Sequence, residues 1–338
     1  MQPDIPVTLH GESAILRPGM RMARQVANAY RDSPAATVSQ AIQSIRQGQP
    51  WRDVIRREYA ETNPWLHQII TDRARMRFFD EHPFPPNSLV LDVGAGWGQI
   101  TLPLSAHHRV VAVEPTPERL EFIMAAAEQE QRAERIYFLE ADVIDVEFGP
   151  VFDRICCIGV LEWVAKFRPD GDPRTIQLEF LRRLQASLKP GGQCIVGIEN
   201  RLGLKYVLGA RDDHSGLRQT HVFDATLAAA RYQAQTEEPL RVFTYSLAEY
   251  DELFRQAGFA RISAFGAYPD YKLPEVIMPL DPPAALSRYI LEHGLPPDHD
   301  GVDGHLLPNQ DELRSHYRSL AEMQIAHVFA PSFFFMLG

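Results

Sequence analysis

The sequence has few cysteines and fewer basic than acidic residues, and each of these shortages argues against some classes of protein. The three cysteines, Cys156, Cys157 and Cys194, all lie in apolar segments. This favours small buried side chains in a reducing compartment over a disulfide set or a zinc site. With 34 Lys and Arg against 44 Asp and Glu, the net charge is −10. General affinity for nucleic acid or an anionic membrane is therefore not expected.

The sequence also lacks long apolar runs and internal repeats. No run approaches the roughly 18 apolar residues that a transmembrane helix needs. Residues 1–20 contain neither the basic region nor the apolar core of a signal peptide. We therefore expect a cytoplasmic protein that does not insert into membranes. The sequence leaves the oligomeric state open.

From residue 87 onward, short apolar runs alternate with helical segments. The alternation predicts an α/β fold with a doubly wound, mostly parallel seven-stranded sheet of Rossmann-like type. The seventh strand should lie antiparallel to the sixth. The predicted strands cover residues 88–93, 109–113, 136–139, 152–158, 193–198, 260–267 and 332–336.

The chain is predicted to divide into two parts. Residues 1–86 are predicted to form an N-terminal helical cap that packs over the ligand cleft, or else helices that only extend the core. Residues 87–338 are predicted to form the ligand-binding domain. Insertions at about 199–245 and 269–330 leave strand ends and are candidates for a substrate lid.

The segment around which this domain is organised is NSLVLDVGAGWGQIT, residues 87–101. It combines a buried strand ending at Asp92–Val93, a glycine-rich turn and the predicted start of a helix over about 97–107. Three alternate glycines allow a sharp turn and a close approach of backbone to ligand. The spacing is G-x-G-x-G, one residue shorter than the G-x-G-x-x-G of dinucleotide-binding turns.

Two acidic residues follow the next two predicted strands. Glu114 comes about 20 residues after the turn, where a carboxylate can accept two ribose hydroxyls. Asp142 follows the third strand, where it can accept a hydrogen bond from an adenine amine. The alternative for either residue alone is a solvated loop or helix-capping acid.

Residues 88–198 resemble the core of class I S-adenosylmethionine (SAM) methyltransferases. The matching segments are LDVGAGWG, VVAVEP, EADV, FDRICCIGVLEWV and LKPGG. The resemblance implies SAM as cofactor and S-adenosylhomocysteine as product. Many members have Leu-Glu-His where this chain has Leu161-Glu162-Trp163, so one possible catalytic histidine is missing. The resemblance implies cofactor contacts from Asp92, Gly94, Ala95, Gly96, Gly98, Glu114, Asp142, Val143 and Gly159.

A second resemblance covers residues 197–214 and 268–274. These segments are similar to methyltransferases encoded beside glycosyltransferases in bacterial surface-polysaccharide pathways. This implies a small-molecule or glycan acceptor, with a sugar hydroxyl as the leading choice. The alternatives are a protein or RNA methyltransferase, the latter disfavoured by the acidic charge, and a SAM-binding protein without methyl transfer.

Methyl transfer to a sugar hydroxyl requires the removal of a proton. His214 is the candidate base, and Asp213 or Glu199 could orient it; the alternative is a loop histidine without a chemical role. Mg²⁺ held by residues 212–214 is a less favoured possibility, and no metal ligand is assigned. Residues 298–305 lack the EF-hand order and are predicted to form a solvated acidic loop.

Overall fold

The structure is a computed structural model that describes residues 3–23, 26, 30–168, 170–218, 225–297 and 309–338. It divides into two compact units. The first comprises Met1–Ile158 and Arg183–Cys194, and the second comprises Gly159–Arg182 and Ile195–Gly338. The predicted boundary between residues 86 and 87 stays a prediction, and the predicted acidic loop at 298–305 lies outside the described residues.

The first unit contains a mostly parallel sheet covered by helices. Its strands are β1 (Ile5–Leu9), β2 (Glu12–Leu16), β3 (Arg21–Ala23), β4 (Leu89–Val93), β5 (Arg109–Val113), β6 (Ile136–Glu140), β7 (Val146–Glu147), β8 (Phe152–Ile158) and the first part of β9 (Leu188–Glu199). Its helices are α1 (Ala35–Arg46), α2 (Trp51–Tyr59), α3 (Pro64–Thr71), α4 (Arg77–Glu81), α5 (Thr101–Leu104) and α6 (Pro117–Gln129).

The sheet of the first unit has the strand order β9-β8-β4-β5-β6-β3. The pairs β3–β6, β6–β5, β5–β4 and β4–β8 are parallel. All five residues of β4 and of β6 are buried, as expected for strands covered on both faces. Parallel pairing brings the carboxyl ends of these strands to one edge, where ligands bind in open α/β sheets.

The N-terminal segment differs from the prediction. It begins with the hairpin β1–β2, to which β7 adds a third strand, and β3 extends the main sheet beside β6. The alternating burial of β1 is the pattern of a half-buried strand. The helices follow as predicted, and buried residues of α1, α2 and α3 share one hydrophobic core with α6.

Two predicted helices are shorter in the structure. Asn63-Pro64 predicts a helix that runs to about Asp80. In the structure this helix ends at Thr71, because the Asp72 side chain accepts a hydrogen bond from the Ala74 N–H at 2.8 Å and starts a new turn. The helix predicted over about 97–107 is reduced to the four residues of α5. Pro103 lies inside α5 and has no N–H to continue the helical hydrogen-bond ladder.

The second unit contains the end of β9 and the strands β10 (Ile262–Tyr268), β11 (Val276–Pro279) and β12 (Ser332–Leu337) in the order β9-β12-β10-β11. β10 is antiparallel to both β12 and β11. The antiparallel final strand was predicted, whereas β11 lies in a predicted insertion. The helices of this unit are the first part of α7 (Pro173–Ser187), α8 (Leu204–Val207), α9 (Ala225–Thr236), α10 (Leu247–Gln256), α11 (Pro283–His293) and α12 (Gln310–Glu322).

The predicted fold class, a mostly parallel α/β sheet of Rossmann-like type, is confirmed. Strands 1 to 4 of the prediction correspond to β4, β5, β6 and β8. The sequence Ser246-Leu247-Ala248-Glu249 has the capping-box pattern, and the structure contains both of its reciprocal hydrogen bonds between Ser246 and Glu249. In the part of the chain that the structure describes, no helix is long and apolar enough to cross a membrane.

Candidate active site

The glycine turn of the first unit follows β4 and leads to α5. Gly94, Gly96 and Gly98 have φ values of 63°, 55° and 78°, in the region that favours glycine. The N–H of Ala95, between them, donates to the Val113 carbonyl at 3.0 Å. The turn is therefore held at the carboxyl edge of the sheet, where its backbone can approach a ligand.

Glu114 follows β5 directly and lies at the same edge of the sheet. Its carboxylate accepts the Gly96 N–H at 2.8 Å and the Thr116 N–H at 3.0 Å, and its side chain is buried. Burial raises the pKa of Glu114, although Arg119, 3.8 Å away, opposes the rise. The carboxylate thus both shapes the turn and retains lone pairs for a ligand hydroxyl.

Asp142 and Val143 follow β6 at this edge. The Asp142 side chain accepts the Ile144 N–H at 3.2 Å and caps a 3₁₀ turn at Val143–Asp145. This is the capping use that the sequence left open as an alternative. Whether Asp142 also accepts from an adenine amine stays a prediction.

A polar group from the N-terminal arm, which the sequence analysis missed, contacts the glycine turn. Asp32 pairs with Arg119 at 2.6 Å and accepts a hydrogen bond from the indole N–H of Trp97 at 3.2 Å. The Tyr59 ring also meets the Trp97 ring edge to face. No sequence signal joins Asp32 to Arg119, because the two residues are 87 positions apart in the chain and meet only in the fold.

Asp92 is fully buried below the turn and accepts a hydrogen bond from the Thr101 hydroxyl at 2.5 Å. Burial raises its pKa from 3.8 to about 7. The folded protein therefore binds a proton more tightly than the unfolded chain, and stability falls as pH rises from about 4 to about 7.

We expect Asp92→Asn to remove this pH dependence, because an amide keeps the shape and does not ionise. Relative to the variant, the wild type should lose up to about 4 kcal/mol of unfolding free energy between pH 4 and pH 8. Urea unfolding of both proteins without cofactor, at several pH values, measures the difference. Parallel pH profiles would show that Asp92 does not carry the proton.

We expect Gly96→Val to abolish measurable SAM binding. A Cβ at this glycine would meet little protein, its nearest neighbour being the Gln99 amide oxygen at 3.4 Å. The cost therefore comes from a β-branched residue at φ 55° and from the side chain in the path of the ligand. Calorimetric titration with SAM measures the loss.

Gly11→Val is the matched control for this prediction. Gly11 has φ 80° and open space around a built Cβ, but it lies in the β1–β2 hairpin. The Gly11→Val substitution should strain the backbone as much as Gly96→Val does, but it should leave the affinity for SAM unchanged. Normal SAM binding by a folded Gly96→Val protein would contradict the assignment of the turn.

Gly159 opens the second unit directly after β8. Its N–H donates to the Gly197 carbonyl at 2.8 Å, and its φ is 69°. A Cβ here would lie 2.7 Å from the Tyr271 hydroxyl. The position therefore requires glycine for both backbone and space, and its predicted contact with the cofactor stays a prediction.

Glu162, Glu199 and His214 meet inside the second unit and are called the acid–histidine cluster below. The His214 Nε2 lies 3.7 Å from the Glu162 Oε1 and 3.6 Å from the Glu199 Oε2. The three side chains are 1%, 3% and 7% exposed for Glu162, Glu199 and His214 respectively. The structure thus brings together two of the three predicted catalytic residues, with Glu162 added.

Asp213, the third predicted catalytic residue, lies among lysines. Its Oδ2 is 3.5 Å from both the Lys205 and the Lys272 ammonium groups. Lys272 also donates to the Glu199 Oε1 at 2.5 Å. Lys272 lies in the segment 268–274, but no local pattern assigns it a role, because its partner Glu199 is 73 positions away in the chain.

These neighbours set the charges of the cluster. Burial raises the pKa of Glu162. Burial by itself would raise the pKa of Glu199, but the charges of Lys272 and His214 hold that pKa below its usual range. Burial acts against protonation of His214, but Glu199 and Glu162 raise its pKa to about 9. In this arrangement the imidazole holds a proton at neutral pH.

His214 is held in place by its own turn and by an aromatic ring. The Asp212 side chain accepts the backbone N–H groups of His214 and Ser215, at 3.1 and 2.7 Å. The Trp163 ring contacts the imidazole edge to face, with the ring centroids 5.2 Å apart. Asp212 therefore serves the turn, whereas the less favoured Mg²⁺ hypothesis used it as a ligand.

Comparison with known proteins agrees with this geometry. Residues 90–192 match a family model described as "Methyltransferase domain". The matched segment is therefore similar to a methyltransferase domain, in line with its predicted resemblance to class I SAM methyltransferases. It contains the glycine turn, Glu114 and Asp142.

Curated relatives of the chain include the ubiquinone biosynthesis O-methyltransferases of Rickettsia akari (strain Hartford) and Rickettsia canadensis (strain McKiel). These are 28% and 27% identical over 121 residues, which is 36% of this chain. The matches cover 43% and 46% of the relatives, so the chain spans less than half of their length.

Solved structures similar to this chain include two of Haemonchus contortus phosphoethanolamine N-methyltransferase 2. The complex with SAM is 14% identical, with a TM-score of 0.44, and the match covers 85% of this chain and 59% of that one. The complex with phosphomonomethylethanolamine and S-adenosylhomocysteine is 12% identical, with a TM-score of 0.42, covering 79% and 52%.

Proposed function

We propose that the protein is an O-methyltransferase that moves the methyl group of SAM to a hydroxyl of a small molecule or glycan, with a sugar hydroxyl as the first choice. The methyltransferase domain and its glycine turn support the use of SAM. Glu114 would accept the ribose hydroxyls, and Asp142 would accept from the adenine amine.

The acid–histidine cluster is the observation that supports a hydroxyl as the methyl acceptor. A hydroxyl is a weak nucleophile, so its oxygen needs a group that takes or replaces its proton as the new bond forms. Two buried carboxylates and an imidazole within reach of one another can do this. We propose that His214 takes the acceptor proton in its neutral form, which is the minor form at neutral pH because the pKa is about 9, with Glu199 and Asp213 as its positioning groups.

In the proposed step the acceptor oxygen bonds to the methyl carbon while the carbon–sulfur bond breaks. The electron pair of that bond stays on sulfur and gives neutral S-adenosylhomocysteine. The hydroxyl proton leaves the acceptor for the cluster. Alignment of oxygen, carbon and sulfur and exclusion of water supply the rest of the rate.

A ubiquinone-biosynthesis acceptor is the second candidate, favoured by the names of the curated relatives. Sugar acceptors are favoured instead by the resemblance of residues 197–214 and 268–274. A protein or RNA acceptor has less support because the chain is acidic. We place the reaction in the cytoplasm, a choice supported by the three buried cysteines, which form no disulfide with one another.

The experiment uses SAM labelled in its methyl group. The protein is incubated with separated glycan and quinone-precursor fractions, and both released S-adenosylhomocysteine and labelled product are measured. Label in a glycan hydroxyl supports the first candidate, and label in a quinone precursor supports the second. Release with neither fraction, in a protein shown to bind SAM, would contradict the hydroxyl acceptor.

A further inference from the structure

We propose that the acid–histidine cluster binds a divalent first-row metal cation through Glu162, Glu199 and His214. The binding stands on the geometry of the cluster alone. Its use in catalysis rests on the proposed function, in which a metal-bound acceptor hydroxyl would lose its proton more easily.

The distances within the cluster are too long for hydrogen bonds. A charge-assisted N–H···O bond between imidazolium and carboxylate is about 2.7–2.9 Å long. The observed separations are 3.6 and 3.7 Å. Two ligand atoms at about 2.0–2.2 Å from one tetrahedral cation lie roughly 3.3–3.6 Å apart. The gap therefore fits a shared cation better than a shared proton.

Unsatisfied oxygens point to the same conclusion. Both oxygens of Glu162 and the Oε2 of Glu199 are buried and have no hydrogen-bond donor among the described residues. A buried charge without a partner is costly. Lys272 compensates the other oxygen of Glu199. Glu162 has only His214 as an ion-pair partner in the described part of the chain, so a cation would supply the missing charge.

The donor set indicates the class of metal. Imidazole suits Zn²⁺, Fe²⁺ and related ions, whereas carboxylates suit Mg²⁺ and Mn²⁺. A set of one imidazole and two carboxylates is shared most naturally by Mn²⁺ or Zn²⁺. Within the described residues these three side chains are the group whose ligand atoms converge within 4.8 Å. Three protein ligands leave a position for an acceptor oxygen.

A cation and a proton would compete for the same Nε2 lone pair of His214. The roles of metal ligand and proton acceptor therefore exclude one another, and metal binding by the isolated protein distinguishes them. Mn²⁺ is a suitable probe because the free ion has a strong electron paramagnetic resonance signal that falls when it binds.

The test titrates chelator-treated full-length protein with Mn²⁺, and then with Zn²⁺ by calorimetry. We expect one Mn²⁺ per chain, and a dissociation constant at least tenfold higher in Glu162→Gln, since even the outer partners of ligands are worth about 10–100-fold. Glu292→Gln is the matched control, because Glu292 is exposed on α11. Glu199→Gln serves as the second variant if Glu162→Gln does not fold.

Absence of saturable binding, or equal binding by wild type and a folded Glu162→Gln protein, would overturn the metal site. The proposed function fails by a different result: no S-adenosylhomocysteine release with any acceptor fraction, with or without Mn²⁺ or Zn²⁺. Methyl transfer that persists in chelator by a protein without bound metal would overturn the use of the metal in catalysis while leaving the proposed function intact.

Discussion

Replacing His214 by alanine is expected to lower kcat by about 10²–10⁴-fold while leaving the affinity for SAM unchanged. The His214 Nε2 lies within 4 Å of a carboxylate oxygen of both Glu162 and Glu199. Without it, the two buried carboxylates lose the group that the acceptor oxygen would contact. Steady-state kinetics with the identified acceptor, together with calorimetric titration of SAM, measure both quantities.

His293→Ala is the control for this prediction. His293 ends α11 with its side chain 60% exposed, so its removal should leave kcat and KM unchanged. If His214 only positions the acceptor, its loss should mainly raise the acceptor KM. Unchanged kcat and KM in a folded His214→Ala protein would remove His214 from the reaction.

Replacing Glu114 by alanine is expected to weaken SAM binding at least tenfold. A hydrogen bond to a charged acceptor contributes about 1.5–3 kcal/mol, and one such bond is worth tenfold or more in affinity. The variant would also release the Gly96 N–H that Glu114 holds at 2.8 Å, so the turn loses a support. Calorimetric titration with SAM gives the change in dissociation constant.

Glu128→Ala provides the comparison, because Glu128 is exposed on α6 in the same unit. Its SAM affinity should equal that of the wild type. Circular dichroism and thermal unfolding separate a lost contact from a lost fold. An unchanged SAM affinity in folded Glu114→Ala would show that this carboxylate shapes the turn without contacting the cofactor.

The strands of the sheet could be predicted because their signals are local. β5 and β8 have the predicted bounds, since each is a short apolar run flanked by polar or turn residues. The hydrogen bond from Gly96 to Glu114 also joins residues that the strand-turn-strand order places together. Local pattern and strand order therefore suffice to predict that the glycine turn and Glu114 lie together.

The acid–histidine cluster could be predicted only in part, because its members are brought together by long-range packing. Glu162 follows β8 and Glu199 ends β9, so the strand order predicts that both lie near the carboxyl ends of their strands. His214 lies in a turn that the Asp212 side chain stabilises, and Lys272 lies in a segment that is distant in the chain. Nothing in the local sequence shows that Glu199 pairs with Lys272 or that Glu162 faces the imidazole.

The stoichiometry of the reaction shows whether the methyl group of SAM moves to a hydroxyl. The wild-type protein is incubated with methyl-labelled SAM and acceptor fractions, and labelled product is compared with S-adenosylhomocysteine. We predict equal amounts of both with a hydroxyl-bearing acceptor, and a loss of both in His214→Ala. Tight SAM binding with no labelled product from any fraction would contradict methyl transfer to a hydroxyl.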